Sequence, residues 1–170
     1  MIHEVPIARL SPLGQAISLR QFAGQFPTGV AVVTTRDKEG ALFGATMNSV
    51  TSLSLDPPLY LVCFQRTSMT FDAMQDSRVF GMSFLANGQE KIAAHFAKSG
   101  RGKFESIGHS ISSAGVPIID GAAASCIGRV AEIHQGGDHA VVFAAVDEVV
   151  TSVAEPLVFH KGSYRCLAPI

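Results

Sequence analysis

Short runs of apolar and β-branched residues, separated by turn signals, recur along the 170-residue chain and predict a protein built mainly of strands. Residues 29–35 are rich in Val and Thr and read as a strand. Asp37-Lys38-Glu39-Gly40 reads as a turn, and the return strand runs from about Ala41 into a cluster of hydroxylated residues at 46–54. Residues 59–64 are apolar in both alternating phases, so a buried strand is expected there. Pro57 and Pro58 bar a helix or a central strand just before it. Residues 79–85 give another strand. Two long strands, 122–133 and 140–153, flank Gly136-Gly137-Asp138, a strong hairpin signal. Residues 157–160 and 163–165 read as one last short strand interrupted by Gly162, and 104–120 read as irregular.

Three short helices are expected between these strands. The first begins near Ser18, where Ser18 and Gln21 have capping-box spacing and Ile17 and Phe22 that of a hydrophobic staple, and it ends before Pro27. The second is capped by Ser68 and runs to about Asp76. The third covers 88–97, with Asn87 and Glu90 at capping-box spacing and Ile92 and Phe96 on one stripe. Residues 1–16, with Pro6, Pro12 and Gly14, read as an extended arm, leaving 17–170 as a single domain. Most links between strands are too short for a parallel crossover, which needs a dozen or more residues. The expected fold is therefore mainly β with inserted helices, an antiparallel barrel that removes its own edges.

Composition changes this picture at several points. Hydrophobic residues make up 47% and charged residues only 16%, so part of the surface is expected to be covered, most simply by a second copy in a homodimer. The net charge is −1 without a basic block, which argues against nucleic acid as a partner. No apolar run approaches the ~20 residues of a membrane span, and residues 1–10 lack the pattern of a secretory signal. Cys63, Cys126 and Cys166 are widely spaced, which excludes a sequence-local zinc site and points to a reducing, cytoplasmic location. The histidines show no metal-ligand spacing.

The candidate chemistry gathers in residues 44–70. Hydroxyls are packed from Thr46 to Ser54, and a second cluster, Thr67, Ser68 and Thr70, follows Arg66 at the start of the second helix. Helix-start amides are unpaired and carry partial positive charge, so with two hydroxyls and a guanidinium they suit a phosphate. The same residues also fit a half-buried strand and a simple helix cap, and Asp72 in the first turn favours the plain cap. Arg101 and Lys103, beside Phe104, suit a second phosphate or an adenine, or else form a solvated loop. Cys63 lies inside a buried strand pattern, a poor place for a nucleophile. His139, at the tip of the long hairpin, is either a surface residue or a donor and proton source over a ligand ring. No Gly-x-Gly-x-x-Gly follows a strand, and no Gly-x-Ser-x-Gly is present.

Together these segments resemble the flavin reductase-like, FMN-binding split-barrel family, in particular the small reductase components of two-component flavin monooxygenases. The resemblance rests on Phe26-Pro-Thr-Gly-Val-Ala-Val-Val-Thr-Thr35, Thr46-Met-Asn-Ser49 with Thr51-Ser-Leu-Ser-Leu-Asp-Pro-Pro58, and Arg66-Thr-Ser-Met-Thr70. It continues with Phe96-Ala97, Lys103-Phe104, Gly137-Asp-His139 and Gly162-Ser-Tyr164, in the family's order. Two positions depart from the pattern: Gly102 stands where the family has Asp before Lys-Phe, and Ala144-Ala145 replaces a glycine-containing stretch.

The resemblance implies a homodimeric Greek-key split β-barrel that binds FMN or FAD and uses NADH or NADPH as co-substrate. Thr46, Met47, Asn48 and Ser49 would meet the isoalloxazine and ribityl chain, and Cys63, Phe64 and Gln65 would line the ring through backbone groups. Ser68 and Thr70, helped by Arg66, would hold the phosphate. Phe96, Lys103 and Phe104 would border the outer side, His139 would face the ring or nicotinamide as the catalytic residue, and Tyr164 would close the pocket. The implied activity is NAD(P)H-dependent flavin reduction, with reduced flavin passed to an oxygenase. The alternatives are a flavin-binding electron carrier without NAD(P)H oxidation and a barrel that serves only as a structural dimer.

Overall fold

Short connections leave the strands no way to run parallel, and among the described residues every pairing is antiparallel. The computed structural model describes residues 15–168, with side chains from residue 19 onward. The elements run α1 (Gln15–Gly24), β1 (Thr28–Gly29), β2 (Ala31–Arg36), β3 (Leu42–Met47), β4 (Val50–Leu55), β5 (Pro58–Gln65), α2 (Met69–Ser77), β6 (Val79–Phe84) and α3 (Glu90–Phe96). They continue with β7 (His109–Ile111), β8 (Pro117–Ile119), β9 (Ala124–Gly136), β10 (His139–Thr151), β11 (Val158–His160) and β12 (Ser163–Arg165). Seven strands form the barrel sheet in the order β3-β2-β6-β9-β10-β5-β4. Its two edges, β3 and β4, are consecutive in the chain and are joined only by residues 48–49. The expected split β-barrel with inserted helices is thus the observed architecture, and residues 48–49 lie at the split.

Two cores share β2. Ala31 and Val33 face one cluster with Val62, Phe64, Phe80, Met82 and Val142, covered by Phe71 and Met74 of α2. Val30 and Val32 face the other, with Leu85, Ala93, Phe96 and Leu157. Successive side chains of a strand point to opposite faces, so a strand buried on both reads as an unbroken apolar run. Gly44 of β3 matters here, because a Cβ on it would come within 2.8 Å of the Phe96 ring. Its missing side chain lets α3 lie directly on the strand.

Several expected elements come out differently. Ser18 falls inside α1, so the Ser18–Gln21 box cannot start that helix. Phe22 is 77% exposed, Ile17 lies outside the described side chains, and α1 ends at Gly24, ahead of Pro27. The expected extended arm overlaps α1 at residues 15–16, and residues 1–14 lie outside the described residues. The N-cap position of α3 is Gln89 instead of Asn87, and its side chain makes no cap bond to the helix; its Oε1 accepts from Ala86 N at 2.9 Å and the Glu90 Oε1 from Gly88 N at 3.3 Å, both ahead of the helix. The segment read as irregular contains the β7–β8 hairpin. It docks on the barrel because Thr34 Oγ1 donates to the Pro117 carbonyl and Ser83 Oγ accepts from Ile119 N. The last strand is a hairpin, β11–β12, turned by Lys161 and Gly162 at φ 50° and 76°.

The β9–β10 ribbon carries the tightest constraint. Its ladder slips between Phe143 and Ala144 and again between Val146 and Glu148. Between these slips, the Cβ of any residue at 128 would land on the Ala145 carbonyl oxygen. Gly128→Ala is therefore expected to cost about 3 kcal/mol in chemical denaturation. Gly29→Ala, with nothing within 4 Å of its Cβ, should stay within about 0.5 kcal/mol of the parent.

Candidate functional site

Four pieces of chain converge beside the corner at residues 48–49. They are the end of β3 with the corner, the end of β5 with the start of α2, the loop after α3, and the first residue of β10. They enclose a groove of about 320 Å³, at the lower end of the roughly 300–1,000 Å³ usual for small-molecule sites.

The corner is fixed by Ser49. Its carbonyl accepts from Cys63 N at 2.9 Å and its hydroxyl donates to the Cys63 carbonyl at 2.9 Å. One serine thus stands in for a strand neighbour on β5 just beyond the end of β4. On the other edge of β5, His139 pairs with Gln65, and Arg66 N donates to the Asp138 carbonyl at 3.3 Å. Alternation then sorts the β5 side chains: Cys63 and Gln65 line the groove, while Phe64 turns into the core, 1% exposed and stacked on Phe71. Only the backbone of Phe64 remains for a ligand.

At the start of α2, Ser68 Oγ accepts from Phe71 N at 3.4 Å, a helix cap that leaves its O–H proton available. Thr67, Ser68, Met69 and Thr70 all line the groove. Thr70 is 4% exposed, yet its hydroxyl has no protein partner among the described residues. The first amides of α2 have no acceptor within the helix. Asp72 is exposed and is not among the lining residues, so the first-turn carboxylate does not enter the groove.

Facing α2 is the loop after α3, contributing Lys98, Ser99, Gly100 and Lys103. Lys103 is tied down: its Nζ donates to the Gly44 carbonyl at 2.9 Å and the Phe96 carbonyl at 3.2 Å. Its own carbonyl meets His95 Nε2 at 2.8 Å. Burial pushes its ammonium below the usual lysine pKa. On the opposite side, His139 Nδ1 lies 2.8 Å from Asp138 Oδ1, leaving Nε2 uncommitted. That hydrogen bond, with the histidine charge second, holds the Asp138 carboxyl below the usual range. The charged side chains lining the groove are Lys98 and Lys103, with His139 the titratable third and no carboxylate among them.

Of the residues singled out from the sequence, Thr46, Met47, Asn48, Ser49, Cys63, Gln65, Ser68, Thr70, Phe96, Lys103 and His139 line this groove. Thr46 and Ser49 have spent their protons, on the Ala93 carbonyl at 2.7 Å and on Cys63, so toward a ligand they can only accept. The Asn48 amide has no hydrogen-bond partner among the described residues.

Three expected residues lie elsewhere. Arg66 follows β5 in the turn before α2, with its N donating to the Asp138 carbonyl, and it is exposed and not among the groove's lining residues. Phe104 is buried between Phe96, at 4.9 Å, and His109, at 5.1 Å, beside a separate recess where Arg101 lies 5.3 Å from the Phe43 ring. Tyr164 stacks edge-on against Phe159 at 5.5 Å behind the second core, and so does not close the groove. Sequence reasoning gave no role to Lys98, Ser99 or Gly100, although Lys98 is the first basic residue after the apolar stripe of α3.

A larger space, about 690 Å³, lies beneath α1 and meets the groove at Asn48. The groove is the better candidate for chemistry because the uncommitted hydroxyls, the helix start and His139 are all there. Donors and cations with no opposing carboxylate suit a ligand bearing phosphate.

Comparisons with known proteins agree with this donor set. Residues 23–168 match the family described as flavin reductase like domain. The chain is 37% identical to the reductase subunit HsaB of a flavin-dependent monooxygenase from Mycobacterium tuberculosis, over 89% of this chain and 82% of that one. It is 34% identical to an NADH-dependent flavin reductase from a Rhodococcus species, over 93% and 90%. Among solved structures, the NADH:FAD oxidoreductase SgcE6 of Streptomyces globisporus superposes with a TM-score of 0.88 at 34% identity, covering 96% of this chain and all of that one. A second structure of SgcE6 is a complex with NAD and FAD fragments.

The three thiols offer a direct test of the groove. Burial raises the Cys63 pKa, and that of Cys126 to about 11, while Cys166 is exposed. Since only the thiolate is alkylated, iodoacetamide should label Cys166 first and leave Cys126 unmodified. Cys63, half-buried and with its pKa raised, should label more slowly than Cys166 at neutral pH and gain as pH rises. Peptide mass spectrometry across pH 7–10 reads all three.

Proposed function

The chain belongs to the flavin reductase-like family, and on that premise we propose that it is an NAD(P)H:flavin oxidoreductase supplying reduced FMN or FAD to a partner monooxygenase. The observation that carries this reading is the groove's combination of cations, unpartnered hydroxyls and a helix start with no carboxylate. Relatives described as NADH-dependent flavin, FAD and FMN reductases support the same chemistry.

Bound flavin supplies the ring that accepts a hydride from the nicotinamide, which is why the chain needs no catalytic triad. The rest is positioning. Asn48 hydrogen-bonds the ring or ribityl chain with its uncommitted amide, and Thr46 and Ser49 accept from it. Residues 63–65 present backbone groups to the ring edge. Thr67, Ser68, Thr70 and the first amides of α2 hold the phosphate, with Lys98 neutralising its charge. Lys103 serves as a strut that clamps the loop to Gly44 and Phe96. His139, oriented through Nδ1 by Asp138, turns Nε2 toward the nicotinamide or provides a proton. Holding the two reacting groups in near-attack contact is the chief contribution such a site makes.

The working unit is the domain that begins with α1 at Gln15, and it acts as a cytoplasmic homodimer. Leu19, Phe22 and Phe26 are exposed around α1, and Leu55 on edge strand β4 is 89% exposed. A chain with 16% charged residues that leaves such side chains bare supports burial against a second copy. Three unpaired thiols support a reducing compartment.

Steady-state NADH and NADPH oxidation with FMN, FAD and riboflavin in turn tests the activity. Rapid turnover with added flavin is expected, and its absence with every pairing would sink the proposal. His139→Ala should lower kcat at least tenfold with little change in flavin Kd, whereas unchanged turnover at saturating NADH removes His139 from the mechanism. Thr70→Val should weaken FMN about tenfold and riboflavin hardly at all in fluorescence titrations. An equal loss for both would detach α2 from the phosphate.

A further inference from the structure

Residues 97–103 leave the end of α3 and return to the barrel as a strap beside the groove. Lys98, Ser99 and Gly100 line the groove, while Arg101 and Gly102 line the separate recess. Within the described residues, the span 99–101 makes no backbone hydrogen bond. Its one other tether is the Arg101 guanidinium, 5.3 Å from the Phe43 ring, a weak attraction at an exposed position. Gly100 and Gly102 stand at φ 134° and 69°. Glycine enters that region at little cost, so the strap's own backbone does little to fix its path.

The strap is held at its ends, and the ends are tied to each other. His95, in the last turn of α3, lies with Nε2 2.8 Å from the Lys103 carbonyl, eight positions along the chain. A carbonyl only accepts, so Nε2 carries a proton and donates it. Lys103 Nζ ties back to α3 by donating to the Phe96 carbonyl at 3.2 Å, and reaches β3 through the Gly44 carbonyl at 2.9 Å. The His95 ring is half-buried and stands edge-on to Phe96 at 5.4 Å. Phe96 is itself 1% exposed and packed over Gly44, so His95 projects from a rigid base. His95 is not among the residues that line the groove. What its bond fixes is the place where the strap rejoins the barrel, and with it where Lys98 and Ser99 stand opposite α2.

We propose that His95 is a positioning residue for the flavin phosphate: through the Lys103 carbonyl it pins the strap, so that Lys98 and Ser99 stay opposite the first amides of α2. The assignment rests on the flavin reductase reading above. It makes the preference for FMN over riboflavin depend on a side chain outside the groove.

Fluorescence titration with FMN and with riboflavin tests it. His95→Phe and His95→Leu both remove the donor, and the first keeps a ring against Phe96. In each, the Kd for FMN should rise about fivefold and that for riboflavin should change by less than about twofold. His95→Gln, whose side-chain amide can donate to the same carbonyl, should recover most of the FMN affinity. In a Lys98→Ala background His95→Phe should add little further loss, because two residues acting through one contact are not additive. Trypsin should cleave ligand-free His95→Phe after Lys98 or Arg101 faster than it cleaves the parent, and FMN should slow that cleavage. The ratio of the two Kd values is read within each variant, so a partly unfolded sample does not imitate the effect. An unchanged ratio in the donor-free variants, equal losses for both flavins, no recovery in His95→Gln or an unchanged cleavage rate overturns the positioning role while leaving the flavin reductase reading intact. Failure of the parent to bind any flavin overturns that reading and this inference with it.

Discussion

The site depends on a corner of two residues. At 48–49 the chain leaves β3 at one edge of the seven-stranded sheet and enters β4 at the other, so the barrel is joined there by covalent chain without a ladder. Backbone groups at such a break must find partners or water. Ser49 meets part of that demand by giving both its carbonyl and its hydroxyl to Cys63. What remains open beside it is the groove. The split is therefore the structural origin of the site: a fully paired barrel would have no uncommitted amide at Asn48 and no unflanked end of β5.

Around this corner, polar groups divide into those that hold the frame and those left for a ligand. Thr46, Ser49 and Lys103 belong mainly to the frame, since their protons go to the carbonyls of Ala93, Cys63, Gly44 and Phe96. Thr70, the Ser68 proton, Asn48, Lys98 and Nε2 of His139 are uncommitted. The division has a thermodynamic logic. The groups that hold the frame are paired because an unpaired buried donor costs more than a neutral hydrogen bond returns, whereas Thr70, Asn48 and Lys98 open onto the groove, where water or a ligand can meet them. Gly44 and Gly128 serve the frame in another way, by letting α3 and the Ala145 carbonyl approach closer than any side chain would allow.

Much of the site was legible in sequence because it is local. Thr67, Ser68 and Thr70 lie within one turn of a helix start, and Gly137-Asp138-His139 is a hairpin tip, so spacing alone placed each. Strand alternation, in contrast, was readable but not anchored. Residues 59–64 are apolar in both phases, and nothing in that run says which phase faces the core; Arg66, expected to help Ser68 and Thr70 with a phosphate, is exposed in the turn after β5 and is not among the groove's lining residues. Lys103 and Phe104 were assigned together as neighbours, yet one lines the groove and the other is buried against Phe96 and His109. The β7–β8 hairpin escaped notice because its strands are three residues each and are held by Thr34 and Ser83 from elsewhere in the chain.

By itself, then, the sequence determined the mainly antiparallel barrel, the helix that starts at Ser68, the long hairpin carrying His139 and the hydroxyl-rich segments of a phosphate-bearing ligand's site. Each follows from interactions between residues a few positions apart: hydrophobic period, cap and turn chemistry. Only the tertiary structure decided which hydroxyls keep their protons, that Tyr164 stands behind the second core, and that Lys98 faces the groove. Those outcomes depend on contacts across dozens of residues, such as Thr46 with Ala93 and Lys103 with Gly44, where the energy of one hydrogen bond is set by a partner that no local pattern announces.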